Sequence, residues 1–191
     1  MKFIIEHLEP ELYDWCLIEY GHISKIIGRN NLIFTNIKNK EKNRLKKYGS
    51  TFEKSVSGLS LKNICVLSQY SKNILKTDDK NKFKYLVFGG ILGDSPARKR
   101  TIHLIQKLKS KKIKFKTRNL GSKQVPTDVA VYVAKKILEG RKLSGFRFVD
   151  SLEIEIDGNE SISLDFRYAV DGNKVIISRK LVDYLRKRKE F

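Results

Sequence analysis

The stretch that decides the fold is Phe88-Gly89-Gly90-Ile91-Leu92-Gly93-Asp94, which directly follows the apolar run Lys84-Tyr85-Leu86-Val87. A second glycine-bearing stretch, Leu120-Gly121-Ser122-Lys123-Gln124-Val125-Pro126-Thr127-Asp128, follows the strand-like residues 113–116. Glycine lets the backbone turn sharply and approach a ligand, and open α/β sheets bind ligands at the carboxyl ends of their strands. The two loops therefore predict one shared small-molecule site; ordinary turns between strands and helices are the alternative.

Apolar patterns on either side of these loops predict an α/β fold. The predicted strands are residues 3–6, 31–35, 63–67, 83–88 and 113–116, and the predicted helices are residues 11–27, 41–48, 97–108 and 129–138. Strands that alternate with helices indicate a mostly parallel sheet with helices on both faces. After about residue 145, short strands at 152–156 and 174–178 and a basic helix at 180–189 predict a small C-terminal extension. We expect 191 residues to form a single domain that includes this extension.

The charge of the chain is unusual. It has 40 Lys and Arg against 21 Asp and Glu, a formal net charge of +19. Such a charge favours a polyanionic partner such as RNA or a ribosome, although a lysine-rich proteome would produce the same composition.

Several classes of protein are excluded by what the sequence does not contain. Cys16 and Cys65 do not form a disulfide framework, and the three histidines lack metal-ligand spacing, so no metal is expected. No apolar run approaches the roughly 20 residues of a membrane span, and Glu6 and His7 interrupt any signal-peptide core. We therefore expect a soluble, cytoplasmic protein that does not bind membranes.

Taken in order, these segments resemble the SPOUT superfamily of knotted methyltransferases. The most similar branch contains the SPOUT-type arginine methyltransferase that acts on a ribosomal protein. Besides the two loops, the resemblance rests on residues 3–9, Glu19-Tyr20, Pro96, Arg98, Arg100, Thr101 and Phe166-Arg167-Tyr168.

The resemblance implies that S-adenosylmethionine is the methyl donor and S-adenosylhomocysteine the product, held by a C-terminal trefoil knot. The two loops would then surround this cofactor, with apolar walls and backbone groups reading the adenine. The cofactor-binding residues expected on this basis are Phe88, Gly89, Gly90, Leu92, Gly93, Leu120, Gly121, Gln124, Val125 and Thr127.

Glu19 is the most informative carboxylate, because it interrupts the apolar stripe of the first predicted helix one turn from both Trp15 and Ile23. A buried unpaired charge costs several kcal/mol, so Glu19 must face a partner or a polar cleft. It either holds a substrate guanidinium or pairs with a core arginine such as Arg167.

Other charged residues near the loops extend this hypothesis. Glu6 ends the first strand and, with Glu19 and Asp94, forms the predicted catalytic set, because carboxylates can orient a guanidinium and receive its proton. Glu9, Arg98 and Arg100 are the predicted substrate-binding residues. Helix capping by Glu9 and Asp94, and a solvated basic face for the two arginines, are the alternatives.

These observations favour a protein arginine N-methyltransferase that acts on a ribosomal or translation-associated protein, with a ribosomal subunit as partner. The alternative is a tRNA or rRNA methyltransferase of the SPOUT class, in which RNA binds through the basic surface. A non-catalytic RNA-binding module is a weaker alternative, because both predicted cofactor loops are intact.

Overall fold

A six-stranded parallel sheet forms the centre of the computed structural model, which describes residues 1–90, 100–157 and 160–187. The strands lie in the order β3-β2-β1-β5-β4-β6, and every pair is parallel. They are β1 (Lys2–His7), β2 (Leu32–Thr35), β3 (Ser50–Thr51), β4 (Ile64–Leu67), β5 (Tyr85–Gly90) and β6 (Phe115–Arg118).

Helices cover both faces of this sheet, which confirms the predicted mostly parallel α/β architecture. The helices are α1 (Asp14–Ile27), α2 (Lys42–Leu45), α3 (Asp79–Lys82), α4 (Arg100–Ser110), α5 (Thr127–Leu138) and α6 (Arg179–Lys187). Because side chains alternate along a strand, Ile5 packs in one cluster with residues of α1 and α5, whereas Ile4 packs in another with Leu104 and Leu108 of α4. None of the helices in the described ranges is long and apolar enough to cross a bilayer.

Several boundaries differ from those predicted. Helix α1 begins at Asp14 and ends as expected at Gly28, whose φ of +82° favours glycine. The predicted helix over 41–48 is a single α-helical turn preceded by a 3-10 turn. Strand β6 begins two residues later than predicted, after Lys112 has turned the backbone with a φ of +57°.

The predicted C-terminal extension contains two small antiparallel sheets. One sheet has the order β11-β10-β7, and the other is the β8-β9 hairpin; their strands are β7 (Arg147–Val149), β8 (Leu152–Asp157), β9 (Glu160–Leu164), β10 (Tyr168–Asp171) and β11 (Lys174–Val175). Leu181 and Leu185 of α6 pack against Ile154 of β8 and against Trp15 and Ile18 of α1. The predicted strand over 174–178 is therefore only two residues long.

The connection between β4 and β5 is tied to the end of β6 by a buried ion pair. Asp79 is 2% exposed and accepts hydrogen bonds from Arg118 Nε at 2.8 Å and Nη2 at 2.9 Å. One residue further along, the backbone of Asn119 donates to Asn73 O at 2.8 Å and accepts from Leu75 N at 3.0 Å. These contacts fix the start of the second glycine loop.

Replacing Asp79 with Asn should destabilise the fold, because the buried Arg118 guanidinium would lose a bidentate, charge-assisted partner. We expect the free energy of unfolding to fall by about 1.5–3 kcal/mol, measured by urea denaturation. Asp78→Asn is the matched control, since Asp78 is exposed, and its effect should stay below about 0.5 kcal/mol. Equal effects of the two variants would contradict a stabilising role for the ion pair.

Candidate functional site at the carboxyl edge of the sheet

The structure brings the described start of the first glycine loop next to the end of the second. Strands β1 and β5 are parallel, with Glu6 opposite Gly89 and His7 opposite Gly90, so both strands end at the same edge. Thr127, the first residue of α5, donates a hydrogen bond from Oγ1 to Gly89 O at 3.3 Å. This bond joins the end of β5 to the end of the second loop.

The second loop requires glycine at position 121. Gly121 has a φ of +105°, and its N–H donates to Asn119 Oδ1 at 2.9 Å. A Cβ at this position would lie 3.4 Å from Arg167 Nη1. Arg167 also donates its backbone N–H to Gln124 O at 3.0 Å and lies over the Phe148 ring. A side chain at position 121 would therefore strain the backbone, and its Cβ would touch the Arg167 guanidinium.

Glu19 is buried at the point where α1 meets the start of α5. It is 1% exposed, and its Oε1 accepts the backbone N–H of Asp128 at 3.2 Å. The N-cap of α5 is Pro126, which supplies no side-chain cap, so Glu19 satisfies an N-terminal N–H group from another helix. Its second oxygen, Oε2, has no hydrogen-bond partner in the part of the chain that the structure describes.

Burial raises the pKa of Glu19 from 4.5 to about 8, and the nearby Asp128 carboxylate adds to this shift. The backbone N–H groups of Asp128 and Thr127 act in the opposite direction, because they stabilise the charged form. Glu19 therefore holds a proton over most of the neutral pH range. Arg167 was the alternative partner expected for Glu19 from the sequence. Its Nε atom instead lies 3.5 Å from Asp150 Oδ1.

Asp128 and His22 complete this polar cluster, and the sequence reasoning missed both. His22 Nδ1 lies 2.7 Å from Asp128 Oδ2, and its side chain is 21% exposed, so the cluster reaches solvent through the imidazole. A signal was present, since His22 lies three residues after Glu19 and thus on the same side of α1.

Glu6 and Glu9, predicted at this edge, both have partners within the fold. Glu6 is 1% exposed; its Oε1 accepts from Ser55 Oγ at 2.5 Å, and its Oε2 accepts from Thr35 Oγ1 at 2.5 Å and Val56 N at 2.9 Å. Glu9 does not cap α1, which begins five residues later; it pairs with Arg100 at 2.5 Å. These contacts are structural, and the predicted roles of Glu6, Glu9 and Arg100 in chemistry stay predictions.

A second pair of buried polar atoms lies near the end of β1. His7 Nδ1 is 2.8 Å from the Tyr20 hydroxyl, while Nε2 has no partner among the described residues. Burial lowers the pKa of His7, although Glu41 and Glu9 oppose the shift, so the imidazole is neutral. Glu41 accepts Leu12 N with Oε1 at 2.9 Å and leaves Oε2 unpartnered within the same ranges.

The other predicted site residues lie in the core, in the second loop or outside the described residues. Phe88 is 3% exposed and stacks on Phe3 in the core, so its ring supports the sheet. Leu120 is buried, and Gln124 and Val125 are half-buried in the second loop. Leu92, Gly93, Asp94 and Arg98 lie outside the described residues, and Gly90 is described by its backbone alone. Within the described ranges, no group of three His, Cys, Asp or Glu side chains forms a metal site.

Comparisons with known proteins agree with this arrangement. A family model described as protein arginine N-methyltransferase SFM1-like matches residues 2–190. The chain is 34% identical to protein arginine N-methyltransferase SFM1 of Saccharomyces cerevisiae over 98% of its length and 95% of that protein. It is similar to the crystal structure of the yeast enzyme complexed with S-adenosylhomocysteine (SAH), with a TM-score of 0.86, 32% identity and coverage of 97% of this chain and 94% of that one.

A more distant likeness concerns the fold alone. A dual-specific Trm10 from Thermococcus kodakaraensis matches with a TM-score of 0.58 and 18% identity over 75% of this chain and 95% of that one. Together with the closer matches, it confirms the resemblance on which the fold prediction rested.

The raised pKa of Glu19 predicts how stability should change with pH. Between 4.5 and about 8 the unfolded chain has lost this proton but the folded chain has not, so rising pH favours unfolding through this group. Glu19→Gln removes the titrating group and with it this contribution to the pH dependence of stability. The free energy of unfolding of the variant, minus that of the parent, should therefore increase by at least about 1.4 kcal/mol, one pKa unit, from pH 5 to pH 9.

The measurement is urea denaturation across this pH range, with Glu11→Gln as control because Glu11 is exposed. The control difference should be flat. A flat or falling difference for Glu19→Gln would mean that Glu19 is ionised in the folded protein.

Proposed function

Because the chain belongs to the family of SFM1-like protein arginine N-methyltransferases, we propose that it transfers a methyl group from S-adenosylmethionine to an arginine side chain of another protein. The observation that carries this proposal is that Oε2 of Glu19, buried beside the start of α5, has no hydrogen-bond partner among residues 1–90, 100–157 and 160–187. A buried carboxyl oxygen without a donor is suited to a cationic hydrogen-bond donor, and guanidinium has five N–H groups but no acceptor.

The described residues fit the cofactor. Gly121 has the backbone angle of a loop that passes close to a ligand, and Leu120 and Val125 supply apolar surface beside it. The backbone of Gly89, Gly121 and their neighbours would hold the cofactor between the end of β5 and the second loop. When bound, S-adenosylmethionine supplies an electrophilic methyl group on a sulfonium sulfur.

The chemistry requires a proton to leave the substrate. A bond forms between a guanidinium nitrogen and the methyl carbon, and the carbon–sulfur bond breaks with its electron pair on sulfur. The proton that leaves the nitrogen would pass to the ionised Glu19 carboxylate, so the methylated guanidinium keeps a single positive charge. Glu19 binds and orients the guanidinium through Oε2. An adjacent cation favours the charged form of a carboxyl group, so substrate binding should lower the pKa of Glu19 and release its proton.

The target that we propose is a ribosomal or translation-associated protein, which would place the enzyme in the cytoplasm. Its support is the net charge of +19, because a basic enzyme is attracted to ribonucleoprotein particles. Methylation of tRNA or rRNA is the second candidate, favoured only by the same charge.

The proposal includes the trefoil knot of the SPOUT fold, with residues 118–136 passing through a loop closed by earlier parts of the sheet. Its support is the pairing of Asn119 with both Asn73 and Leu75, which places the second loop beside the connection between β4 and β5. The knot is tested by the path that residues 118–136 follow in a crystal structure.

One experiment separates protein from RNA targets. Ribosomal subunits from a strain that lacks the enzyme are incubated with the purified protein and labelled S-adenosylmethionine, and the label is followed after protease or ribonuclease digestion. Protease-sensitive label in methylarginine supports the proposal. Label that only ribonuclease releases would replace it with the RNA alternative.

Gly121→Val should abolish cofactor binding. A β-branched residue at a φ of +105° costs about 1–3 kcal/mol of backbone strain, so the loop would change its backbone conformation. Calorimetric titration with SAH measures the effect. Gly145→Val is the control, because the nearest atom to its Cβ is Arg141 Cγ at 4.0 Å. Parental affinity in Gly121→Val would contradict the loop assignment.

Glu19→Gln should retain cofactor binding but lower kcat/KM for methyl transfer. The substrate would lose a charge-assisted hydrogen bond worth about 1.5–3 kcal/mol, or roughly ten- to a hundredfold in rate. In the parent, kcat/KM should also rise with pH up to about 8 as Glu19 ionises, and the variant should lack this rise.

Methyl-transfer assays on ribosomal subunits from the strain that lacks the enzyme measure kcat/KM and its dependence on pH, again with Glu11→Gln as control. If Glu19→Gln methylates normally once its folded fraction is taken into account, Glu19 serves only to hold α5.

A further inference from the structure

The opposite edge of the sheet, where the strands begin, carries a row of basic side chains. In the order of the strands across the sheet, Arg29 precedes β2, Lys2 begins β1, Lys84 precedes β5, Lys62 precedes β4 and Lys114 precedes β6. Neighbouring strands lie about 4.8 Å apart, so five cations follow one line about 20 Å long. We call this row the amino-edge stripe.

No acidic residue interrupts the stripe. The segments that lead into these strands, residues 28–31, 60–63, 80–84 and 110–114, contain lysine, arginine and asparagine but no Asp or Glu. Two carboxylates on adjoining elements have partners outside the stripe: Asp79 is held by Arg118 and lies 3.9 Å from Lys82, and Glu139 lies 3.7 Å from Lys135 and 3.3 Å from Lys136. None of these pairs involves a lysine or arginine of the stripe.

The stripe borders a cleft of about 370 Å³ between the start of β1 and the residues around α3. It is lined by Met1, Lys2, Asn63, Lys80, Asn81, Lys82, Phe83, Lys84 and Tyr85. Lys80, Lys82 and Lys84 are exposed, whereas Phe83 is 8% exposed and Tyr85 is half-buried. The cleft thus offers ammonium and amide N–H donors beside the apolar side chain of Met1 and the rings of Phe83 and Tyr85.

We propose that the amino-edge stripe binds the phosphate backbone of RNA. Lysine and asparagine are the side chains that contact phosphate and sugar oxygens without reading sequence, and a line of them matches a linear polyanion. A membrane surface is a poorer match, because interfacial binding needs an apolar face to insert between lipids.

This surface lies away from the proposed chemistry. Strand β5 separates the cleft from Gly89 and Gly90, and its six residues span roughly 20 Å. RNA on the stripe would therefore leave the carboxyl edge free for a protein substrate and would not contact the methyl donor. The inference does not rest on the proposed methyl transfer, since binding is measured without turnover.

The test uses the full chain and a short fluorescently labelled single-stranded RNA of mixed sequence, with anisotropy recorded over a series of salt concentrations. The amino-edge variant is Lys62→Glu, Lys84→Glu and Lys114→Glu combined. The control variant combines Lys142→Glu, Lys174→Glu and Lys180→Glu, three exposed lysines of the C-terminal region. Each variant lowers the formal net charge by the same amount, from +19 to +13.

We expect the amino-edge variant to bind RNA at least about tenfold more weakly near 0.1 M salt, and its log–log salt slope to fall by about 2, or 0.7 for each lost phosphate contact. The control variant should stay within about twofold of the parent. Thermal melting checks that both variants fold. If the amino-edge variant does not fold, a variant with Gln instead of Glu at the same three positions takes its place.

Three results would overturn the proposal. Equal losses in both variants would mean that RNA responds only to the total charge. A change of RNA affinity on addition of SAH would place the RNA at the carboxyl edge. Binding to phosphatidylserine vesicles that depends on the same three lysines, without binding to RNA, would assign the stripe to a membrane.

Discussion

The hydrogen bond between the buried carboxyl of Glu19 and the first turn of α5 is the contact on which the carboxyl edge depends. The first N–H groups of a helix need acceptors, and the proline at the N-cap of α5 offers no side-chain acceptor. Glu19 supplies one from α1. Because Thr127 in the same turn bonds Gly89 O, this contact also fixes how the second loop lies against the end of β5.

Two other buried carboxylates act in the same way and order residues 36–60. Glu6 binds the Ser55 hydroxyl and the Val56 N–H, and Glu41 binds Leu12 N. Residues 36–60 carry little periodic apolar pattern, yet these contacts join partners 29 to 50 residues apart in sequence. Local sequence cannot reveal such order, because one partner of each contact lies on a distant element, Glu6 on β1 and Leu12 just before α1.

The parallel sheet and its two glycine loops were predictable because they rest on local signals, namely apolar runs, helical stripes and glycine at the carboxyl ends of strands. The short strands β3 and β7 were missed, since two or three residues leave almost no period to detect. Glu19 was found because a charge in an apolar stripe is anomalous, whereas Asp128 was not, since an acid in the first turn of a helix is ordinary. Its pairing with His22 spans 106 residues.

The two edges of the sheet favour partners of opposite charge, and this bears on the choice between a protein and an RNA target. At the carboxyl edge, burial makes the charged form of Glu19 unfavourable until a cation offsets that cost. Neither a ribose nor an uncharged base can do so, whereas a guanidinium can. The excess positive charge of the chain attracts polyanions, but at the amino edge, where the segments that lead into the strands contain basic residues and no Asp or Glu. A basic protein can therefore be drawn to a ribonucleoprotein and still carry a site whose chemistry selects arginine.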